Sequence, residues 1–157
     1  MPESSSPDTF VQISEVDIDI GGLIAYCVHR SAGGISSFIG TTRDSFQGKR
    51  VLRLEYEAYR PMAMRELLRI TDDARRRWEL YRIAVVHRVG DVPVGEASVA
   101  VVASSEHRSP AIEAVAWMID TLKATVPVWK REWYEGDECA WKENCEGCRR
   151  SMVRDSH

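Results

Sequence analysis

The run VAVVA, Val99 to Ala103, constrains this chain more than any other stretch. Nearly every position in it is apolar, so a strand over Glu96 to Ala103 is expected to be well buried. The run is far too short to cross a bilayer, and no other run approaches the length needed. A buried strand needs neighbours, and the flanking sequence supplies them. Ile83 to Val86 reads as a strand, and His87-Arg88-Val89-Gly90-Asp91 leads from it into a turn with Pro93 and Gly95. On the other side, Ser109-Pro110 opens a helix that runs to about Thr125. Its expected apolar stripe is Ile112, Val115, Ala116, Ile119 and Leu122. Val126-Pro127 ends it, and VWKREWY returns as an extended segment.

The rest of the chain repeats this alternation. Phe10 to Val16 reads as a short strand or lead-in. A helix is expected over 18–30, capped by Asp17 and weakened by Gly21-Gly22. Strands follow near Ile35 to Thr41 and from Val51 to Tyr56, and Pro61 starts a helix that ends with Arg75, Arg76 and Arg77. Hairpins interleaved with three main helices predict an α+β domain with a mostly antiparallel sheet. At 157 residues, one domain over 10–142 accounts for the chain. Residues 1–9 read as a polar, disordered tail, and 143–157 as a polar, cysteine-containing one.

Charge and cysteines exclude several classes. The net charge of -3 gives no reason to expect nucleic acid or an anionic membrane as partner. MPESSSPDTF has neither the basic nor the apolar region of a secretory signal, so a cytoplasmic setting with reduced thiols is expected. Cys27 reads as a small buried hydrophobe. Cys139, Cys145 and Cys148 form C-x5-C-x2-C, part of a zinc or redox pattern. No fourth ligand is evident beyond His157, so no metal or cofactor is expected.

The positions that carry candidate chemistry are basic. His107 and Arg108 precede a helix start, where free amides and a guanidinium suit an oxyanion; surface pairing is the plainer alternative. Lys123 lies at the edge of the helical stripe. It either snorkels to water or points into a pocket as a nucleophilic or acid–base amine. In the returning strand, alternation puts Val128, Lys130 and Glu132 on one face and Trp129, Arg131 and Trp133 on the other. Lys130 and Glu132 are therefore either an exposed ion pair or two members of one site. Arg43, which opens a glycine-containing loop, is either an anion clamp or a loop charge.

Four segments together resemble a known family. GGISSFIGTTRD, LEYEAYRPMA, VVHRVGDVPVGEASVAVVASSEHR and DTLKATVPVWKRE are similar to the large, catalytic subunit of molybdopterin synthase, in the expected order over about residues 10–142. The resemblance implies that family's α/β hammerhead-type fold and a sulfurtransferase that builds the molybdopterin dithiolene from cyclic pyranopterin monophosphate. It implies a small ubiquitin-like partner whose C-terminal Gly-Gly thiocarboxylate carries the sulfur, and a homodimer of large subunits at the centre of the assembly. Carried over by motif, Lys123 becomes the main catalytic residue. Lys130 holds the partner's terminus, Arg43, His107 and Arg108 bind pterin and phosphate, and Glu132 orients Lys130. Family members also send an arginine from near the C-terminus into the neighbouring subunit's site. The tail WKENCEGCRRSMVRDSH offers Arg149 or Arg150 without a secure match. The competing reading is a scaffold that docks a ubiquitin-like tail without chemistry.

Overall fold

The computed structural model describes residues 7–135 and 139–143. Two β-sheets and three helices build the domain. The first sheet is ordered β1 (Thr9–Ser14), β5 (Ile83–Arg88), β7 (Ala97–Ser105), β2 (Gly34–Thr41). Among the described strands only the β1–β5 pair is parallel. As the VAVVA run demands, β7 is interior and buried along nearly its whole length.

The two faces of this sheet divide its side chains by strict alternation. Ile83, Val85, Val89, Val99, Val101 and Ala103 enter the main core with Leu67, Ile70, Met118 and Leu122 from α2 (Arg60–Arg77) and α3 (Arg108–Thr125). Ala84, Val86, Ala100 and Val102 face the other way, onto Leu23 and Cys27 of α1 (Ile20–Cys27). Both faces are covered, which is why these strands can be apolar throughout.

The second sheet is built on the long strand β4 (Lys49–Ala58). It pairs with β8 (Val128–Tyr134) and with two short strands, β3 (Ser45–Phe46) and β6 (Gly90–Pro93). β9 (Cys139–Glu143) adds beyond β8. Gln47 and Gly48 close the β3–β4 hairpin at φ 50° and 78°, the left-handed pair that a two-residue turn of this hand requires.

Several expectations shift in detail. Residues 7–9, expected in the polar tail, are tied down: Arg75 donates to the Asp8 carbonyl at 2.6 Å, Ile83 N–H donates to the same oxygen at 3.0 Å, and Thr9 begins β1. The first helix is shorter than 18–30, and its cap is Asp19, which accepts from the Gly22 N–H at 3.0 Å. Asp17 instead pairs with Arg88 at 3.0 Å. The buried stripe of α3 is rotated. Ala111, Ala114 and Met118 are inside with Val115, Ile119 and Leu122, while Ile112 is 53% exposed and Ala116 faces solvent. The helix packs on α2 as well as on β2 and β7, and small alanines let it approach both closely. The lead-in from His87 is strand as far as Arg88 and again over Gly90–Pro93, and the expected turn follows at Val94-Gly95, closed by the Glu96 N–H donating to the Pro93 carbonyl at 3.1 Å. Cys145, Cys148, Arg149, Arg150 and His157 lie outside the described residues.

Candidate active site

The register of β8 on β4 builds the core of the site. Tyr56 stands opposite Lys130, and Leu54 opposite Glu132. Alternation holds as the sequence predicts: Val128, Lys130, Glu132 and Tyr134 share the inward face, with Glu132 only 3% exposed. A carboxylate buried this far needs partners. Lys130 Nζ lies 3.8 Å from it, and the Tyr134 hydroxyl donates to it in a short hydrogen bond. On the outward face, Trp133 Nε1 donates to Glu55 at 3.1 Å and Arg53 lies over the Trp133 ring, which holds β4 and β8 in register from the other side.

Lys123 reaches the same region from α3. Because α3 leaves the C-terminal end of β7 and runs back along it, its last turn returns to the end where β7 begins. There the Lys123 amine lies 5.9 Å from the centre of the Phe38 ring, a β2 residue paired with Val101. It is partly buried and close enough to His87 to act on its charge. His87 in turn meets Tyr56 edge-on, with ring centres 5.1 Å apart. His87, Tyr56, Glu132 and Lys130 therefore adjoin one another at the seam where the two sheets meet, and the Lys123 charge acts on His87 from α3. Burial raises the Tyr56 phenol, a Ser98 hydrogen bond works against that, and the Glu132 charge adds to it. Burial drives the His87 imidazole down to about 4, so the ring is neutral at physiological pH.

Arg43 is exposed just past β2, over the Phe46 ring at 6.0 Å. Phe46 pairs with Lys49, whose amine sits 5.3 Å from the Tyr134 ring centre. Arg43, Lys49 and Lys130 thus follow one another around the buried Glu132–Tyr134 pair. Lys49 and Tyr134 have no motif to mark them in the sequence. They are found only once the hairpin and the β4–β8 register are known.

His107 and Arg108 are elsewhere. His107 is the N-cap residue of α3, its side chain makes no cap hydrogen bond, and both residues are exposed. Fifteen residues of helix separate Arg108 from Lys123, about 22 Å at 1.5 Å per residue. Within one chain, the two groups face opposite ends of the first sheet.

A model described as "MoaE protein" matches residues 13–125. The chain belongs to the MoaE family. A molybdopterin synthase catalytic subunit from Dictyostelium discoideum is 49% identical over 142 residues, which cover 88% of this chain and 90% of that one. Among solved structures, molybdopterin synthase from Staphylococcus aureus superimposes with a TM-score of 0.78 at 31% identity, covering 83% of this chain and 94% of its own. A complex of subunits 1 and 2 of molybdopterin-converting factor from Helicobacter pylori shares the fold, with a TM-score of 0.70 at 20% identity and coverage of 90% and 92%. The MoaE match spans Arg43, His107, Arg108 and Lys123 and stops short of Lys130 and Glu132. The Dictyostelium alignment is the longer of the two. Among the described residues, no helix is long and apolar enough to cross a membrane.

Proposed function

We propose that this chain is the catalytic subunit of a molybdopterin synthase, taking sulfur from the C-terminal thiocarboxylate of a small ubiquitin-like subunit to cyclic pyranopterin monophosphate. The observation that supports the reading is that Lys123, at a helix end, acts on His87, whose ring meets Tyr56, the strand partner of Lys130, with Arg43 over Phe46 and Lys49 by Tyr134 nearby. Two anions must meet in this reaction, a thiocarboxylate and a phosphate, and cations of this kind suit both.

The chemistry follows from the groups present. The thiocarboxylate brings its own nucleophilic sulfur, so no cysteine is required at the lysines. That sulfur bonds to an electrophilic carbon of the pterin side chain as the carbon–oxygen bond there breaks, the oxygen leaving as water or, at the phosphate-bearing carbon, with the opened phosphate ester. Water then cleaves the acyl–sulfur bond, leaving the sulfur on the pterin and a carboxylate on the carrier, and a second carrier repeats the step. Lys130, oriented by Glu132, holds the carrier's terminus. The Lys123 amine, beside the reacting carbon, stabilises developing negative charge and exchanges protons. The seam keeps bulk water away from groups that must act in a fixed geometry. The setting is cytoplasmic.

His107 and Arg108 enter this scheme from a second copy. A pterin phosphate is much shorter than the roughly 22 Å between Arg108 and Lys123 along α3. A homodimer that sets the start of one α3 against the end of the other completes the phosphate site. Exposed Ile35 on the edge strand β2 and exposed Ile112 on α3 support an interface on that side.

The deciding experiment supplies cyclic pyranopterin monophosphate and thiocarboxylated small subunit to the wild type and to Lys123→Ala. Dithiolene product is expected from the wild type, with a loss of about 100-fold or more in the variant. Equal rates would remove Lys123 from the mechanism, and an inactive wild type would favour a docking scaffold.

A further inference from the structure

The inward face of β8 ends on a residue that has no part in the scheme above. Val128, Lys130, Glu132 and Tyr134 follow one another along that face at every second position. The row runs from a partly exposed lysine, through a buried carboxylate, to a buried phenol. A lysine amine rides on a flexible four-carbon stem, whereas a tyrosine has two rotatable bonds and a rigid ring. One end of the row is therefore soft and the other stiff.

The carboxylate between them divides its two oxygens. Oε2 accepts from the Tyr134 hydroxyl, and Oε1 faces the Lys130 amine at 3.8 Å. That second distance suits an ion pair and is too long for a hydrogen bond. A glutamate carboxyl turns easily about its last side-chain bond, whose preferences are broad and two-fold. A donor on one oxygen stops that rotation and fixes where the other oxygen points. The phenol is itself held in place. Tyr134 stands opposite Val51 of β4, and the Lys49 amine lies 5.3 Å from its ring centre. Lys49 belongs to the β3–β4 hairpin, where it pairs with Phe46.

We propose that Tyr134 is a positioning residue for Lys130: it holds Oε2 of Glu132 so that Oε1 draws the lysine amine to one place at the seam. The functional meaning rests on the reading of Lys130 as the residue that holds the carrier's terminus; the ordering of the side chain does not. An amine already in place meets an incoming carboxylate without first giving up its rotamer freedom, and that freedom is a large part of what such a contact costs. In this arrangement Tyr134 acts on carrier binding, and only through its neighbours.

Titration with a small subunit that ends in an unmodified Gly-Gly carboxylate reads this without any chemistry. Tyr134→Phe removes one hydroxyl, keeps the ring, and should weaken binding about fivefold. Lys130→Ala should weaken it more, and adding Tyr134→Phe to Lys130→Ala should bring no further loss, because the phenol acts through the lysine. A tyrosine that merely supports the fold would weaken both backgrounds alike. Equal losses in the two backgrounds, or full affinity in Tyr134→Phe, overturn the proposal. Sulfur transfer gives the matching split: KM for the thiocarboxylated carrier should rise about fivefold in Tyr134→Phe, with KM for the pterin phosphate within about twofold of wild type. A rise shared equally by both KM values overturns the proposal. Nitrogen NMR of the lysine side chains reads the order of Lys130 with no partner present. Its signal, identified by its loss in Lys130→Ala, should shift and report faster motion in Tyr134→Phe, and an unchanged signal overturns the proposal. A wild type that does not bind the small subunit sinks the proposed function, whereas intact binding with an unchanged lysine signal removes Tyr134 alone.

Discussion

Glu132→Gln isolates the electrostatics of the site, because it removes a charge and leaves the shape almost unchanged. In the wild type this buried carboxylate accepts from the Tyr134 hydroxyl and lies 3.8 Å from Lys130. A hydrogen bond to a charged group contributes about 1.5–3 kcal/mol, against about 1 kcal/mol for a neutral one. Turning the Tyr134 bond neutral should therefore cost about 1 kcal/mol. The Lys130 side chain is 22% exposed, and water screens part of its pairing, so that contact adds at most about 1 kcal/mol. The sum is about 2 kcal/mol, or roughly 4–8 °C in Tm for a domain of this size. Urea unfolding of wild type, Glu132→Gln, Tyr134→Phe and the double variant measures the coupling directly. A coupling of about 1 kcal/mol is expected for residues in contact. Strictly additive losses would refute the picture of Glu132 as the hub that holds Tyr134 and Lys130.

Three further outcomes follow from burial and backbone geometry. Burial pushes the Cys27 thiol up to about 12, so peptide mapping after alkylation at pH 8 should find Cys27 unmodified in the folded protein and modified after denaturation. The His87 imidazole titrates at about 4 when folded and near 6.5 when unfolded, so between those values the unfolded chain holds the extra proton. Its contribution is complete above pH 6.5 and should fall by about 3 kcal/mol as pH drops to 4; denaturation at several pH values should show this slope in the wild type and a shallower one in His87→Gln. A Cβ at Gly33 would lie 2.3 Å from the Glu106 carbonyl oxygen, so Gly33→Ala should lose about 1–3 kcal/mol in thermal melts by displacing the β7–α3 junction.

Much of this arrangement was legible in the sequence, and what was not has identifiable causes. The buried β7, the helix behind Ser109-Pro110 and the alternation of Val128, Lys130 and Glu132 are local patterns, and each appears in the structure. Asp19 displaced Asp17 as the helix cap because Asp17 has a tertiary partner in Arg88, which a local rule cannot detect. Ile112 fits the helical stripe in sequence, yet which flank of a stripe goes inside depends on where α2 and the sheet lie. For the site, the motif residues were recognisable singly, while Tyr56, Lys49 and Tyr134 depend on strand register. His87 read as the start of a lead-in to a turn, past the end of a strand, because Gly90 and Pro93 follow so soon. Both residues fall instead in β6, which turns away from the first sheet to join the second.

Helix α3 is a rigid spacer with one kind of cation at each end. Stiffness of that sort fixes a ruler into the protein: in the proposed dimer, a lone polypeptide would offer half of two different binding sites and the whole of neither. Weakening the contact between copies would then mimic a damaged substrate pocket in every kinetic measurement, although each residue of the pocket were still in place.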